Sequence, residues 1–306
     1  MIVDKVKIYL EAGAGGEGSS SLMGGSSRKI VGSGGDGGKG GDIVLKISPH
    51  LYDLSKFKGN KKFVAKDGER GKEKNKKGKD AQELTLYIPS GTRVLDEEGG
   101  VIADLIGEVD KFLICRGGRG GKGNYKRTYT VPAQEGEKRE VTLDYRIPND
   151  VAILGLPNSG KTTLFNSLTG HNYKVADYPF TTTSCVWAET EYEFVRCAIL
   201  DTPPVKKSKD SLSLPDENRF LRHIIRSKIL ILLSDSLDDF KNDFSALKEQ
   251  ISLFDPCLLK QKKIFYLLNK IDKIDKKVEQ KNIITISAQK GIGIEALKES
   301  IFKNIK

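Results

Sequence analysis

The residues best equipped for chemistry are the eight from Gly155 to Thr162, Gly155-Leu156-Pro157-Asn158-Ser159-Gly160-Lys161-Thr162. They follow an apolar run, Val151 to Leu154, and precede a helical pattern that begins at Thr163. In that strand-loop-helix setting, G-x-x-x-x-G-K-T lets backbone N–H groups curl around phosphates at the positive end of a helix. Lys161 then reaches the β and γ oxygens, and Thr162 ligates Mg²⁺. An ordinary glycine turn is the plainer reading, and the context argues against it.

The loop does not tell ATP from GTP, so the base must be read elsewhere. A second apolar run, Ile264 to Leu268, ends in Asn269-Lys270-Ile271-Asp272. A carboxylate there accepts from N1–H and the exocyclic amine of guanine, which adenine does not offer, so Asp272 selects guanine and Lys270 lies over the base plane. Further on, Ile283 to Ile286 leads into Ser287-Ala288, where the Ala288 amide can donate to guanine O6. Alone, Asn269 to Asp272 reads as a helix-capping turn; its order after the phosphate loop outweighs that. Between these motifs lie Phe180-Thr181-Thr182-Thr183, where a threonine can complete a Mg²⁺ shell, and Asp201-Thr202-Pro203-Pro204. Asp201 fits a water-mediated Mg²⁺ partner. The usual pattern there is D-x-x-G, and Pro204 stands in the glycine's place.

These motifs need positioning elements, and composition divides the chain into two kinds. Of 32 glycines, 27 fall in residues 1–148. From residue 149 onward, apolar runs alternate with helical stretches, the signature of a βα domain. The expected domains are therefore 1–148 and 149–306. In the first, Val3 to Leu10, Asp42 to Ile47, Glu83 to Ile88 and Lys111 to Cys115 read as short strands. Three glycine clusters, around Gly13, Gly34 and Gly117, interrupt them. Flexible linker is the common fate of such sequence, but clusters inside a strand-rich domain point to glycine chains packed backbone on backbone.

Charge adds a partner class. The net charge is +10, and two runs carry more than all of it: Lys56 to Lys79 has eleven Lys or Arg against three acids, and Arg116 to Arg127 five against none. One such run would be a solvated face. Two among glycines fit RNA, with Arg116, Arg119, Lys122, Lys126 and Arg127 as contacts and Phe57, Phe63, Tyr125 and Tyr129 available to stack on bases. The four cysteines lack metal or disulfide spacing, and a reducing, cytoplasmic setting is expected. No apolar run approaches the roughly 18 residues of a membrane helix, which argues against a membrane-transport protein sharing G-x-P-N-S-G-K-T-T.

Taken together, the motifs resemble the Obg family of GTPases over nearly the whole length. The resemblance is carried by the opening Met1 to Gly16, G-G-D-G-G-K-G-G-D at Gly34 to Asp42, I-P-S-G-T at Ile88 to Thr92, G-G-R-G-G-K-G-N at Gly117 to Asn124, A-D-Y-P-F-T-T at Ala176 to Thr182 and R-F-L-R-H-I at Arg219 to Ile224. It implies a multi-domain fold: an all-β glycine-rich domain of left-handed polyproline-type helices on a small β-barrel, joined to a Ras-like α/β P-loop domain. It implies slow GTP hydrolysis, GTP and GDP as ligands, and work as a monomer on the large ribosomal subunit and its rRNA. Residue by residue, the metal ligands become Thr162 and Thr182, and catalysis falls to Lys161, Thr182 and Asp201. Thr163, Phe180 and Thr181 join the nucleotide set, and Asn158 matches a position that in related GTPases helps bind K⁺. Val205 stands where other GTPases carry a glutamine and where the family places a hydrophobic residue. Leu22-Met23-Gly24-Gly25-Ser26 replaces the family's aromatic-Arg-Arg-Glu-Lys segment. Pro204 favours a second outcome: a nucleotide-responsive RNA-binding factor whose hydrolysis has weakened.

Overall fold

The computed structural model describes residues 3–24, 30–107, 111–170, 185–206, 216–236, 239–273 and 282–305. They form two compact units, Val3–Tyr145 and Arg146–Lys306.

Among the described residues, the first unit contains ten short strands: β1 (Lys5–Glu11), β2 (Leu22–Gly24), β3 (Ile30–Gly32), β4 (Ile43–Ile47), β5 (Lys62–Val64), β6 (Leu84–Ile88), β7 (Thr92–Leu95), β8 (Val101–Leu105), β9 (Phe112–Cys115) and β10 (Lys138–Tyr145). They build a five-stranded sheet ordered β5-β1-β10-β7-β8, a three-stranded sheet β6-β4-β9 and a small hairpin β2-β3. Alternation decides which faces are inside: on β1, Val6, Ile8 and Leu10 are buried and the residues between them are not.

The glycine clusters are ordered. Segments 12–19, 33–41, 65–72, 76–82, 117–124 and 131–137 lie outside helices and strands and bond sideways to one another. Gly13 donates to Gly41, Gly16 to Gly38, Gly37 to Gly121, Gly40 to Gly118 and Gly118 to Gly13, all within 2.8–3.0 Å. Chains without internal hydrogen bonds must satisfy their amides laterally, as polyproline-type helices do. What makes glycine obligatory here is space rather than a left-handed backbone. A Cβ on Gly37 would lie 1.7 Å from the Gly16 carbonyl oxygen. Carboxylates take amides the bundle leaves over: Asp67 accepts from Ala14, Asp80 from Lys39, Asp42 from Gly117 and Asp36 from Gly123.

In the second unit, β11 (Val151–Gly155) leads into α1 (Lys161–Thr169), then β12 (Val186–Tyr192), β13 (Val195–Asp201), a 3₁₀ segment Asp216–Arg226, β14 (Ile229–Ser234), α2 (Phe240–Phe254), α3 (Leu258–Gln261), β15 (Lys263–Leu268), β16 (Ile283–Thr285) and α4 (Ile294–Ile305). The sheet order is β12-β13-β11-β14-β15-β16, with only β12 antiparallel to its neighbour. The central strands β11 and β14 are buried throughout, as parallel strands covered on both faces must be. Leu164, Phe165 and Leu168 of α1 and Leu297, Ile301 and Phe302 of α4 pack into this core at helical spacing. The chain order reverses about β11, and ligands bind such sheets beyond the carboxyl ends of the strands at that point.

Candidate functional site

The loop after β11 and the segment after β13 border a cleft of about 680 Å³, lined by Asn158, Gly160, Lys161, Thr162, Thr163, Val186, Asp201, Thr202, Pro203, Pro204 and Lys270. Gly160 caps α1 in a left-handed conformation, φ 89°, and a Cβ there would sit 2.3 Å from Asn269 Nδ2. Glycine at this position thus serves both the turn and the approach of the base-side loop. Lys161 Nζ donates to the carbonyls of Gly155 (3.1 Å) and Leu156 (3.0 Å). Burial lowers its pKa, and the charges of Asp201 and Asp235 oppose that.

Thr162 Oγ1 donates to Asp201 Oδ2 at 2.8 Å. The other oxygen, Asp201 Oδ1, is buried and has no hydrogen-bond partner among the described residues. Burial raises the Asp201 pKa to about 6, against the Thr162 hydrogen bond and the Lys161 charge. A buried carboxylate oxygen without a donor, beside a threonine hydroxyl, fits a hard divalent cation with oxygen ligands. Mg²⁺ suits this pair. No cluster of three or more His, Cys, Asp or Glu side chains able to hold a metal occurs among the described residues.

On the base side, Asn269 is buried and works as a tie. Its Nδ2 donates to the Ser159 carbonyl (3.0 Å), and its Oδ1 accepts from the Ala288 amide (3.0 Å). The structure thus gives that amide a different partner from the guanine oxygen expected of it. Ser287 Oγ donates to Asp272 Oδ1 at 2.6 Å, which holds the Asp272 carboxyl below its usual pKa. Lys270 Nζ donates to the Asn158 carbonyl (2.7 Å) and pairs with Asp235 (2.5 Å). Gly155, Leu156, Pro157, Ser159, Asn269, Asp272, Ser287 and Ala288 do not line the cleft; those with hydrogen bonds named above shape the loops that do. Phe180, Thr181 and Thr182 lie outside the described residues. Sequence reasoning missed Ser167, whose hydroxyl donates to the Ala288 carbonyl (2.7 Å), and Asp235. Both carry a single polar group in a helix or at a strand end, which no spacing rule marks.

The segment around Pro204 has no amide to spare. Thr202 N–H faces the Ile153 carbonyl at 3.4 Å, Pro203 and Pro204 have none, Val205 donates to the Gly155 carbonyl at 3.0 Å, and Lys206 donates to Asn218 Oδ1 at 3.0 Å. Asn218 is itself buried and returns a bond from Nδ2 to the Lys206 carbonyl at 2.8 Å.

Comparison with known proteins now decides the family. The family described as GTP1/OBG matches residues 3–147, and the one described as 50S ribosome-binding GTPase matches residues 150–270. The GTPase Obg of Aquifex aeolicus is 36% identical, with 98% of this chain and 95% of that protein covered. The chain belongs to the Obg family of GTPases. The Obg of Thermodesulfovibrio yellowstonii is likewise 36% identical over 96% of this chain and 95% of its own length, and that of Ehrlichia ruminantium 35% over 98% and 88%. Among solved structures, the G domain of the T. maritima FeoB iron transporter is 26% identical over 52% of this chain and 100% of its own length, with a TM-score of 0.41. As an Obg GTPase the chain is a GTP-binding protein, and its cleft is where the phosphate motif lies. Among the described residues, no helix is long and apolar enough to cross a membrane.

The glycine-rich unit holds a second candidate site. The turn Lys72–Lys77 and the loop Asn124–Arg127 both bond to residues 32–35: Gly35 donates to Lys72 (2.9 Å), Asn75 to Ser33 (2.7 Å), Tyr125 to Gly34 (3.0 Å) and Lys126 to Gly32 (3.4 Å). Thus the far ends of the two basic runs meet at one end of the bundle. Tyr125 and Tyr129 are exposed there, with Lys126 over the Tyr125 ring at 5.5 Å. The cations named from the sequence are spaced along the bundle. Arg116 and Asn124 are eight residues apart along an extended chain, about 25 Å at ~3.1 Å per residue, and Lys122 is paired with Asp36 at 2.8 Å. Phe57 and Phe63 are not base platforms either: Phe57 is buried, and the two rings pack edge to face at 5.5 Å.

Proposed function

We propose that this Obg GTPase acts as a slow, nucleotide-dependent factor in assembly of the large ribosomal subunit, with rRNA held at the bundle end that carries Lys74, Lys76, Lys126, Arg127, Tyr125 and Tyr129. The observation that carries this reading is the meeting of two distant basic runs with exposed aromatics at one place. Cations beside stacking surfaces suit single-stranded RNA. The second family's description as ribosome-binding supports it. The reading includes a cytoplasmic monomer and the domains 1–148 and 149–306.

In the nucleotide cleft, Lys161 and the amides at the start of α1 draw the phosphates, and Asp272, held by Ser287, reads guanine. Mg²⁺, when bound, neutralises phosphate charge, with Thr162 and Asp201 as its described neighbours and Thr182 as the expected third. The proposed K⁺ role of Asn158 rests on the family likeness; in the structure its backbone is left-handed (φ 63°) and its carbonyl is bonded to Lys270.

The test is co-sedimentation with large subunits over a salt series. Replacing Lys74, Lys126 and Arg127 with alanine should weaken association and reduce the salt slope by about 0.7–0.9 for each phosphate no longer neutralised. Equal binding by that variant and the natural chain refutes the assignment. A second reading, a binding factor with weakened hydrolysis, is favoured by the lack of any spare backbone amide from Thr202 to Lys206.

A further inference from the structure

Three neighbouring parallel strands end side by side at the cleft, with Gly155 opposite Leu233 and Ser234 opposite Leu268. Just beyond these ends lie the Asn158 carbonyl, the Asp235 carboxylate and the Lys270 ammonium. Lys270 Nζ bridges the other two, at 2.7 Å to Asn158 and 2.5 Å to Asp235. The side chains of Lys270 and Asp235 are 34% and 29% exposed, so the pair is neither dry nor fully screened. Lys270 also lines the cleft. Its backbone and that of Asn158 are both left-handed, φ 63° at each, which a non-glycine residue keeps only where its surroundings hold it.

A lysine that flanks a base through its methylene stem must keep that stem in one rotamer. A free lysine loses much of its side-chain entropy when so ordered. A carbonyl alone leaves the ammonium free to turn toward solvent or toward the phosphates. A carboxylate on the opposite side fixes the stem before any ligand arrives, which is preorganisation.

We propose that Asp235 is a positioning residue for guanine binding: it anchors the Lys270 ammonium so that the lysine stem stays against the base. The proposal rests on the reading that places Lys270 over guanine. Asp235 touches neither base nor phosphate in this scheme; toward guanine it acts through Lys270, and its charge also favours the protonated form of Lys161. Its negative charge disfavours polyphosphate.

The experiment uses the full chain and compares GDP release with the affinity for inorganic tripolyphosphate, which has no base, in Asp235→Asn, Lys270→Met and the double variant. Asp235→Asn should release GDP about fivefold faster, the upper range for a partly exposed ion pair, while its tripolyphosphate affinity is kept or rises. The double variant should match Lys270→Met. GDP release within twofold of the natural chain in Asp235→Asn, with Lys270→Met impaired, overturns the inference alone. A parallel fall in GDP and tripolyphosphate affinity, the mark of a disturbed loop, overturns it too. If Lys270→Met leaves GDP release unchanged, both the placement of Lys270 and the role of Asp235 fall.

Discussion

Replacing Pro204 with glycine should sharpen the distinction between GTP and GDP. In the common D-x-x-G pattern the glycine amide donates to the γ-phosphate and helps order the segment in the triphosphate state. Proline has no N–H and a fixed φ. A substitute amide from the same stretch is not at hand, because Val205 is bonded to Gly155, Lys206 to Asn218, Thr202 faces Ile153, and Pro203 has no N–H. Moving Val205 toward the phosphate would break its 3.0 Å bond to Gly155, at the root of the phosphate loop. A hydrogen bond to a charged group contributes about 1.5 to 3 kcal/mol, so restoring one should raise the GTP-over-GDP affinity ratio by roughly ten- to a hundredfold. Glycine also adds flexibility to the unfolded chain, a separate loss of about 0.4–1 kcal/mol of folding stability that a melting curve would register. Trp187, the single tryptophan, follows the cleft-lining Val186 and offers an intrinsic fluorescence signal for titrating both nucleotides. Single-turnover hydrolysis should be measured on the same samples. Affinity ratios and hydrolysis rates that agree within twofold between Pro204→Gly and the natural chain would refute the reasoning.

Four further outcomes are expected. Asp272→Asn should shift preference from guanine toward xanthine nucleotides in competition binding, since the amide donates where the carboxylate accepted; an unchanged preference for GDP counts against Asp272 as the base reader. Without Mg²⁺, the second unit should lose stability as pH rises from about 4 to 6. Asp201 titrates near 6 when folded and near its ordinary carboxylate value when unfolded, so the folded state binds the extra proton across that window. The glycine-rich unit should respond oppositely, losing stability as pH falls below about 4, because Lys122 holds the Asp36 pKa down and the Lys39 amide that of Asp80; pH-dependent melts of the two transitions check both signs. Finally, Gly37→Ala drives a Cβ to 1.7 Å from a backbone oxygen and should cost more than about 3 kcal/mol, whereas Gly59→Ala, with nothing within 4 Å, should be near neutral; similar melting points for the two would contradict the packing argument.

Local chemistry was legible in the order of residues. The phosphate loop, the guanine motif and Asp201 each need particular atoms at fixed short spacing, so Gly155 to Thr162, Asn269 to Asp272 and the strands before them could be read directly. Strands β1, β4, β6 and β9 were legible as short runs of strand-forming residues between turn signals. By contrast β10, the eight-residue strand that pairs with both β1 and β7, was not predicted. Its sequence, Lys-Arg-Glu-Val-Thr-Leu-Asp-Tyr, begins with three charged residues, and its partners lie far away in the chain.

Relations between distant segments were decided only by the tertiary structure. The five cations from Arg116 to Arg127 look like one cluster in sequence, yet an extended chain spreads them along the bundle and an ion pair occupies Lys122. The turn at Lys72–Lys77 reaches Asn124–Arg127 through bonds to residues 32–35, which no local pattern encodes. Pro204 marked a missing amide from sequence alone; that its neighbours' amides are already engaged follows from where Gly155 and Asn218 sit. A motif is a statement about a few adjacent residues, whereas hydrogen-bond satisfaction is settled among whatever groups the fold brings within about 3 Å.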